Sequence, residues 1–363
     1  MKLTIAQTNL ATILTASVGI VEKRNTIPIL GNVKLCASDV LTITASDLDI
    51  EAVNVTEADI TTPGETTVAA STLLDIVKKL PKSSDVTLEH DGSYLHVKSG
   101  RSRFKLHTLP AEDFPHMAND EYQYTSHISA HDLAVMLGKV KFAMSSEELR
   151  FMLNGVYLHN DDAGDLIAVA TDGHKFAMMR HECDVQVAGV ILPRKTVVEL
   201  RRVLDLHEGD VTLETSDTKA RISGDGFCIT TKVVDATFPD YRRVIPIGND
   251  KSMTVDAREF KDASASVTVV SSERTKAVKM SLEDDVCKLS VRGDNGEAKS
   301  EIAVSYQGEP LNIGFNSKFL AEMMAQAEGG EVEMRFNGEM DAALVKMSEV
   351  PGFTGVVMPM RYT

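Results

Sequence analysis

Between Arg194 and Leu204 the chain reads Arg-Lys-Thr-Val-Val-Glu-Leu-Arg-Arg-Val-Leu. At about 100° per residue, Val197, Leu200, Val203 and Leu204 gather into one apolar stripe, while Arg194, Lys195, Arg201 and Arg202 fall on the opposite side. The spacing predicts an amphipathic helix with a cationic back. A single such face is commonly just solvated; recurrence is what distinguishes this one. Thr72-Leu-Leu-Asp-Ile repeats Thr196-Val-Val-Glu-Leu, and Phe319-Leu-Ala-Glu-Met is a weaker third copy.

Downstream of these helices the pattern switches to alternation. Asp85-Val-Thr-Leu-Glu and Asp210-Val-Thr-Leu-Glu are the same pentapeptide, and Glu331-Val-Glu-Met-Arg is their counterpart. Phe114-Pro115 returns as Phe238-Pro239. Turns at Asp91-Gly92 and Asn337-Gly338 predict antiparallel hairpins. At the start of each unit, Ile5 with Leu10, Ile128 with Leu133, and Val255 with Phe260 share the spacing of a strand giving way to a helix. Ser129 and Asp256 stand where N-caps belong, and Asp256-Ala-Arg-Glu259 has the capping-box form. The chain therefore reads as three similar α+β domains, each of antiparallel sheet plus two helices. Their expected bounds are 1–122, 123–248 and 249–363, with polar joints near Glu121 to Ser126 and Pro246 to Ser252.

Length and composition fit this picture: 363 residues suit two or three domains, and 43% apolar with 25% charged residues is ordinary for a folded chain. Cys36, Cys183, Cys228 and Cys287 are widely spaced, which signals neither a zinc site nor a disulfide framework and favours the cytosol. The polar Gln7, Thr8 and Asn9 come too early for a secretory leader, and no apolar run approaches a membrane span. The net charge of −15 on its face argues against a nucleic-acid partner, since a binding domain is usually basic overall. Acidic residues nevertheless concentrate in strands and loops, such as Asp47, Asp49 and Glu51, or Glu283, Asp284 and Asp285. That leaves an acidic body with a basic stripe.

Candidate chemistry is sparse. Asp172-Gly-His174 is the most enzyme-like spot, because an Asp beside a His can orient a general base, and a hydrolase built on it is the rival reading. Asp47 and Asp294 hold the corresponding place in the other units, so this Asp is expected to serve a turn. No nucleophile elbow, P-loop or dinucleotide fingerprint is present, and Glu147-Glu148 and Asp161-Asp162 lack His partners, so neither metal nor cofactor is expected. A scaffold that binds only proteins is the third reading. The C-terminal Gly355-Val-Val-Met-Pro-Met-Arg-Tyr-Thr suits either a last edge strand or an adaptable apolar patch, since thioethers repack at low cost.

Seven motifs together resemble one family along the whole chain. They are Ile27-Pro-Ile-Leu-Gly-Asn32, Ser99-Gly-Arg-Ser-Arg-Phe104, Leu153-Asn-Gly155, Ala170-Thr-Asp-Gly-His174, Pro193-Arg-Lys195, Phe238-Pro-Asp-Tyr-Arg-Arg243 and Val357-Met-Pro-Met-Arg361. By them the sequence is similar to the bacterial DNA polymerase III β subunit, the sliding clamp. The resemblance implies a DNA clamp fold, a ring-shaped homodimer and a non-catalytic processivity factor through which duplex DNA slides without sequence being read. It implies as partners the replicative polymerase subunit, an ATP-driven clamp loader, and repair and translesion proteins carrying a clamp-binding peptide. DNA-facing candidates are Arg24, Lys78, Lys79, Lys195, Arg201 and Arg202. The ring would close between Arg103, Phe104 and Leu106 of one copy and Val269, Val270 and Glu297 of the other. The family's peptide groove between its second and third domains maps onto Leu153, Thr171, Gly173, His174, Lys175 and Phe176. It continues with Pro239, Arg243 and Val244, and then Val356, Met358, Pro359, Met360 and Arg361. Relatives often have His-Arg-Leu where this chain has His174-Lys175-Phe176, and the larger Phe176 is expected to narrow the pocket. A relative ends in Arg-Leu where this chain ends in Arg361-Tyr362-Thr363, and Phe151-Met152 replaces an aromatic pair.

Overall fold

The computed structural model describes residues 1–22, 26–118, 121–270, 277–293 and 296–362. Among them are six α-helices, two for each sequence repeat: α1 (Gln7–Val18), α2 (Ala70–Lys79), α3 (Ala130–Val140), α4 (Arg194–Leu204), α5 (Ala257–Thr268) and α6 (Ser317–Met324). Helix α4 covers the stretch that the apolar stripe predicts.

The repeat extends to strand register. Ile5 lies opposite Val86, Ile128 opposite Val211, and Val255 opposite Val332, so each leading strand pairs with its own copy of the Asp-Val-Thr-Leu-Glu segment. All six side chains are buried, and so are Leu10, Leu133 and Phe260, which begin the helices beneath them. The first helical amide is held in the same way each time: Gln7 donates to the Ser84 carbonyl, Ala130 to Gly209 and Ala257 to Gly330, at 2.9, 2.9 and 3.0 Å. The expected caps are present. Asp256 Oδ1 accepts from the Arg258 and Glu259 amides, and Ser129 Oγ from Asp132 at 3.4 Å. Asn316, a third cap, accepts from Lys318 at the start of α6.

By contacts the chain divides into two compact units, Met1–Ala134 with Val185–Val234, and Val135–Asp184 with Asp235–Thr363. The boundaries cut through the middle repeat because sheets run on from one repeat to the next. In the first unit, Phe227–Lys232 pairs with Ile50–Thr56, placing Ile229 opposite Ala52. In the second, Phe353–Val357 pairs with Lys175–His181, placing Gly355 opposite Ala177. Each junction joins the last strand of one repeat to the third strand of the first helix-to-helix segment in the repeat before it.

The remaining strand of each kind is open along most or all of one side among the described residues. Ser102–Leu109 pairs along its length with Tyr94–Ser99, while on its other side only Thr108 and Leu109 meet Val68 and Thr67. Gly296–Ala303 pairs with Val286–Gly293 alone among the described strands. The second hairpin departs from the two-residue turn read at Asn337-Gly338. Six residues connect Glu331–Phe336 to Ala343–Met347, with Asn337 donating to Asp341 at 2.9 Å.

Candidate functional site

Helix α1 packs against both α2 and α4, forming one helical layer in the first unit. Lys78 and Lys79 are exposed in the last turn of α2, and Arg201 and Arg202 occupy the last turn of α4, where cations also complement the helix dipole. The α4 cations are internally paired, which the sequence pattern did not reveal. Lys195 Nζ lies 2.5 Å from Asp47 and 3.7 Å from Glu22; Arg201 reaches Asp205 at 2.8 Å and Arg202 reaches Glu199 at 2.7 Å. Glu199 is 6% exposed, and burial pushes its carboxyl above the usual range, with Arg202 and Lys195 pulling it back. Arg24 lies outside the described residues.

In the second unit, strand pairing puts Lys175 opposite Val357 and Phe176 opposite Val356, and the Met358 amide donates to the His174 carbonyl at 2.9 Å. The tail then crosses to the strand Leu311–Asn316, where the Met360 amide donates to Gly314 at 2.8 Å. A Cβ on Gly314 would sit 2.5 Å from the Met360 carbonyl and 2.6 Å from the Tyr362 ring, so the tail needs that glycine. Lys279 Nζ stands 5.2 Å from the centre of the Tyr362 ring. Of the residues expected to form the groove, Gly173, His174, Pro239, Arg243, Val244, Met358 and Arg361 are exposed, with Pro359 and Met360 half-buried. Leu153, Thr171 and Val356 lie beneath. Arg150 ties the turn Glu148–Leu153 to this region by donating to the Asp172 carbonyl at 3.3 Å.

Two residues expected as groove walls behave differently. Lys175 is buried and turns away to Glu322 on α6 at 2.5 Å and to Asp172 at 3.4 Å, with its ammonium 4.7 Å from the centre of the Phe319 ring. Its strand position alternates it into the sheet's covered face, and the carboxylates there hold it. Phe176 is 1% exposed and stacks on Tyr241 at 5.8 Å, so it supports the site from below rather than narrowing its mouth. Tyr241, Phe319 and Glu322 are the supporting residues missed by position-by-position reading.

Asp172 has the turn role expected of it. Its Oδ1 accepts the His174 and Lys175 amides, just as Asp47 Oδ1 accepts those of Asp49 and Ile50. His174 stacks on Phe319 at 6.0 Å. The carboxylate is thus engaged by the backbone rather than orienting an imidazole. Asp294 lies outside the described residues. Among the described residues no group of three or more His, Cys, Asp or Glu is placed to hold a metal, and no helix is long and apolar enough to cross a membrane.

At the edges, Phe104 and Leu106 are half-buried and alternate with exposed Arg103, Lys105 and His107. Arg103 donates to the Gly100 and Ser102 carbonyls at 2.7 and 2.9 Å. Glu297 lies 3.1 Å from Lys299, and Val269 is 81% exposed.

Comparison with known proteins decides the family. The N-terminal, central and C-terminal domain models of the DNA polymerase III beta subunit match residues 1–118, 127–240 and 242–361. The chain belongs to that family. It is 41% identical over 371 residues to the beta sliding clamp of Caulobacter vibrioides, covering 99% of this chain and 100% of that one. It is 35% identical to the beta sliding clamp of Pseudomonas aeruginosa, with the same coverage. Among solved structures, a sliding clamp from Bartonella birtlesii bound to griselimycin has a TM-score of 0.95 at 38% identity, each chain covered completely. A Caulobacter crescentus beta sliding clamp has a TM-score of 0.94 at 40% identity, with 100% of this chain and 99% of that one covered. The DNA polymerase III beta subunit is a processivity factor rather than a catalytic subunit, and works with DNA and polymerase in replication. The fold accordingly has three domains of antiparallel sheet with helices.

Proposed function

We propose that two copies of this chain close head to tail into a ring that holds duplex DNA topologically and tethers its partners through the groove around His174, Val244 and Met360. The observation that carries this reading is the inventory of junction strands. Both junctions within the chain use the same pair of strand types, and among the described residues the one unused copy of each type is unpaired along most or all of one side. An unpaired edge is a standing invitation to aggregation unless something covers it. A second copy satisfies both edges with the pairing already used twice, and a two-fold arrangement repeats the contact.

The register follows by superposing the repeats. Phe104 takes the place of Ile229 and Gly355, Ala298 that of Ala52 and Ala177, so Phe104 faces Ala298 and Lys105 faces Glu297 of the second copy. Arg103 then becomes a diagonal neighbour of Glu297, a rim contact worth little by itself. Val269 and Val270 supply apolar cover for Phe104 and Leu106. The reading extends to domain bounds of 1–122, 123–248 and 249–363, to residence in the cytoplasm, and to the replicative polymerase subunit, an ATP-driven loader, and repair and translesion proteins as groove partners. Loose phosphate contacts from Lys78, Lys79, Arg201 and Arg202, with Arg24 and Lys195, permit sliding because none reads a base.

Light scattering tests the ring. A dimer is expected at micromolar concentration. A monomer at that concentration contradicts the reading.

A further inference from the structure

His159 is buried at 8% exposure on the strand Gly155–Asn160. Its hydrogen bonds fix its tautomer. Nδ1 lies 2.8 Å from the Asn160 carbonyl, which can only accept, so Nδ1 carries the proton and Nε2 is bare. Nε2 lies 3.0 Å from the Tyr241 hydroxyl, which therefore donates to it. The imidazole is also stacked on Tyr157 at 4.5 Å, and Tyr157 in turn on Phe238 at 5.0 Å. Tyr241 opens the short turn Tyr241–Val244 that carries Arg243 and Val244, and its other side meets Phe176. A single hydrogen bond thus links a buried histidine to the segment forming one wall of the groove.

We propose that His159 is a positioning residue for the peptide groove: neutral Nε2 accepts the Tyr241 hydroxyl, holds the turn 241–244 against Phe176, and makes peptide affinity fall when the imidazole gains a second proton. The inference rests on the groove reading above and deepens it. Protonated Nε2 becomes a donor and can no longer accept, so the Tyr241 hydroxyl must rotate or leave. The surroundings disfavour the cation. Burial pushes the His159 pKa below its ordinary value; the Asn160 carbonyl opposes this, Arg242 adds to it, and Asp161 and Asp162 oppose it. Arg242 is itself held near Asp162 at 3.5 Å, and Tyr157 and Tyr241 are both pushed up by burial and stay neutral. The sign follows. In the folded protein the imidazole stays neutral until pH approaches its lowered value, so the arrangement is present at neutral pH and weakens as pH falls through that value.

A peptide of the Gln-Leu-x-Leu-Phe type is expected to suit the groove's soft apolar walls, so the test uses the full-length protein and fluorescent Gln-Leu-Ser-Leu-Phe with a blocked N-terminus, titrated from about pH 7.5 to about pH 5.5. The unaltered protein is expected to lose affinity as pH falls, by at most roughly tenfold at the acid end, because an imidazole held below its ordinary value is only partly protonated there. Tyr241→Phe and His159→Phe should each weaken neutral binding and flatten the profile. His159→Gln, whose amide can both accept from Tyr241 and donate to Asn160, should recover part of the affinity lost in His159→Phe and remain flat. Hydrogen exchange of residues 238–245 in the free protein should rise in acid with histidine present and stay level in His159→Gln. An acid loss that persists unchanged in His159→Gln overturns the proposal while leaving the groove intact. No peptide binding at neutral pH overturns the groove reading itself, and level exchange in the unaltered protein removes the coupling whatever the peptide does.

Discussion

Gly19 sets how closely the end of α1 approaches α4. A Cβ there would overlap Glu199 Oε2 and fall 2.7 Å from Arg202 Nη1, so the Glu199–Arg202 pair occupies space that only glycine leaves. Backbone strain is not the reason, since Gly19 has the ordinary φ of −61°. Gly19→Ala should therefore destabilise despite better helix propensity. Overpacking costs about 1–3 kcal/mol against a propensity gain below about 1 kcal/mol. Urea unfolding checks this, and an unchanged or higher midpoint would show that the pair moves aside freely. At the groove, Met360→Asp should abolish binding of a Gln-Leu-x-Leu-Phe peptide, because a carboxylate among apolar walls costs several kcal/mol, roughly 2–7 for a stranded polar group. Calorimetry reads the result, and unchanged affinity would move the partner site elsewhere. At this scale the sequence was informative where a role is local. Asp172 and Asp47 were legible as turn residues because the amides that donate to them are two and three residues away. Glu199, Lys175 and the His159–Tyr241 bond were not, because each depends on what tertiary packing brings near.

Helix α4 was legible almost completely, bounds and buried face alike, because a 3.6-residue period with a strong polar contrast leaves little freedom. What the pattern could not convey is that the cationic back is largely neutralised by carboxylates. That changes the expected DNA behaviour. A free phosphate contact contributes about 0.9 to the salt slope, whereas a cation already paired gains less by exchanging one anion for another. Replacing Arg24, Arg201 and Arg202 by Ala should lower clamp loading and its salt dependence by fewer than about three such contacts, with the dimer intact. Loading measured across a salt series decides it; an unchanged slope would take these residues off the DNA path. The alternating strands were equally readable in their core faces. Phe176 was misjudged because alternation assigns a face but not how deeply neighbours bury it.

For the whole molecule, the threefold repeat was visible in the sequence, yet compactness follows a different division, since continuous sheets bind half of the middle repeat to each neighbour. Those same sheets give the ring its logic. If the open edges at Ser102–Leu109 and Gly296–Ala303 pair between copies, charges on their apolar side cannot be accommodated. Leu106→Glu combined with Val270→Glu should yield folded monomers by light scattering, with secondary structure unchanged by circular dichroism. A persistent dimer would relocate the interface.

The net charge of −15 makes electrostatic affinity alone a poor explanation for DNA retention, so the proposed ring holds DNA topologically. The most direct test loads the protein onto closed circular duplex DNA, then compares its retention before and after one double-strand cut. A topological ring stays on the closed circle at moderate salt and runs off once ends exist. Loss at equal rates from circle and cut DNA would contradict the account.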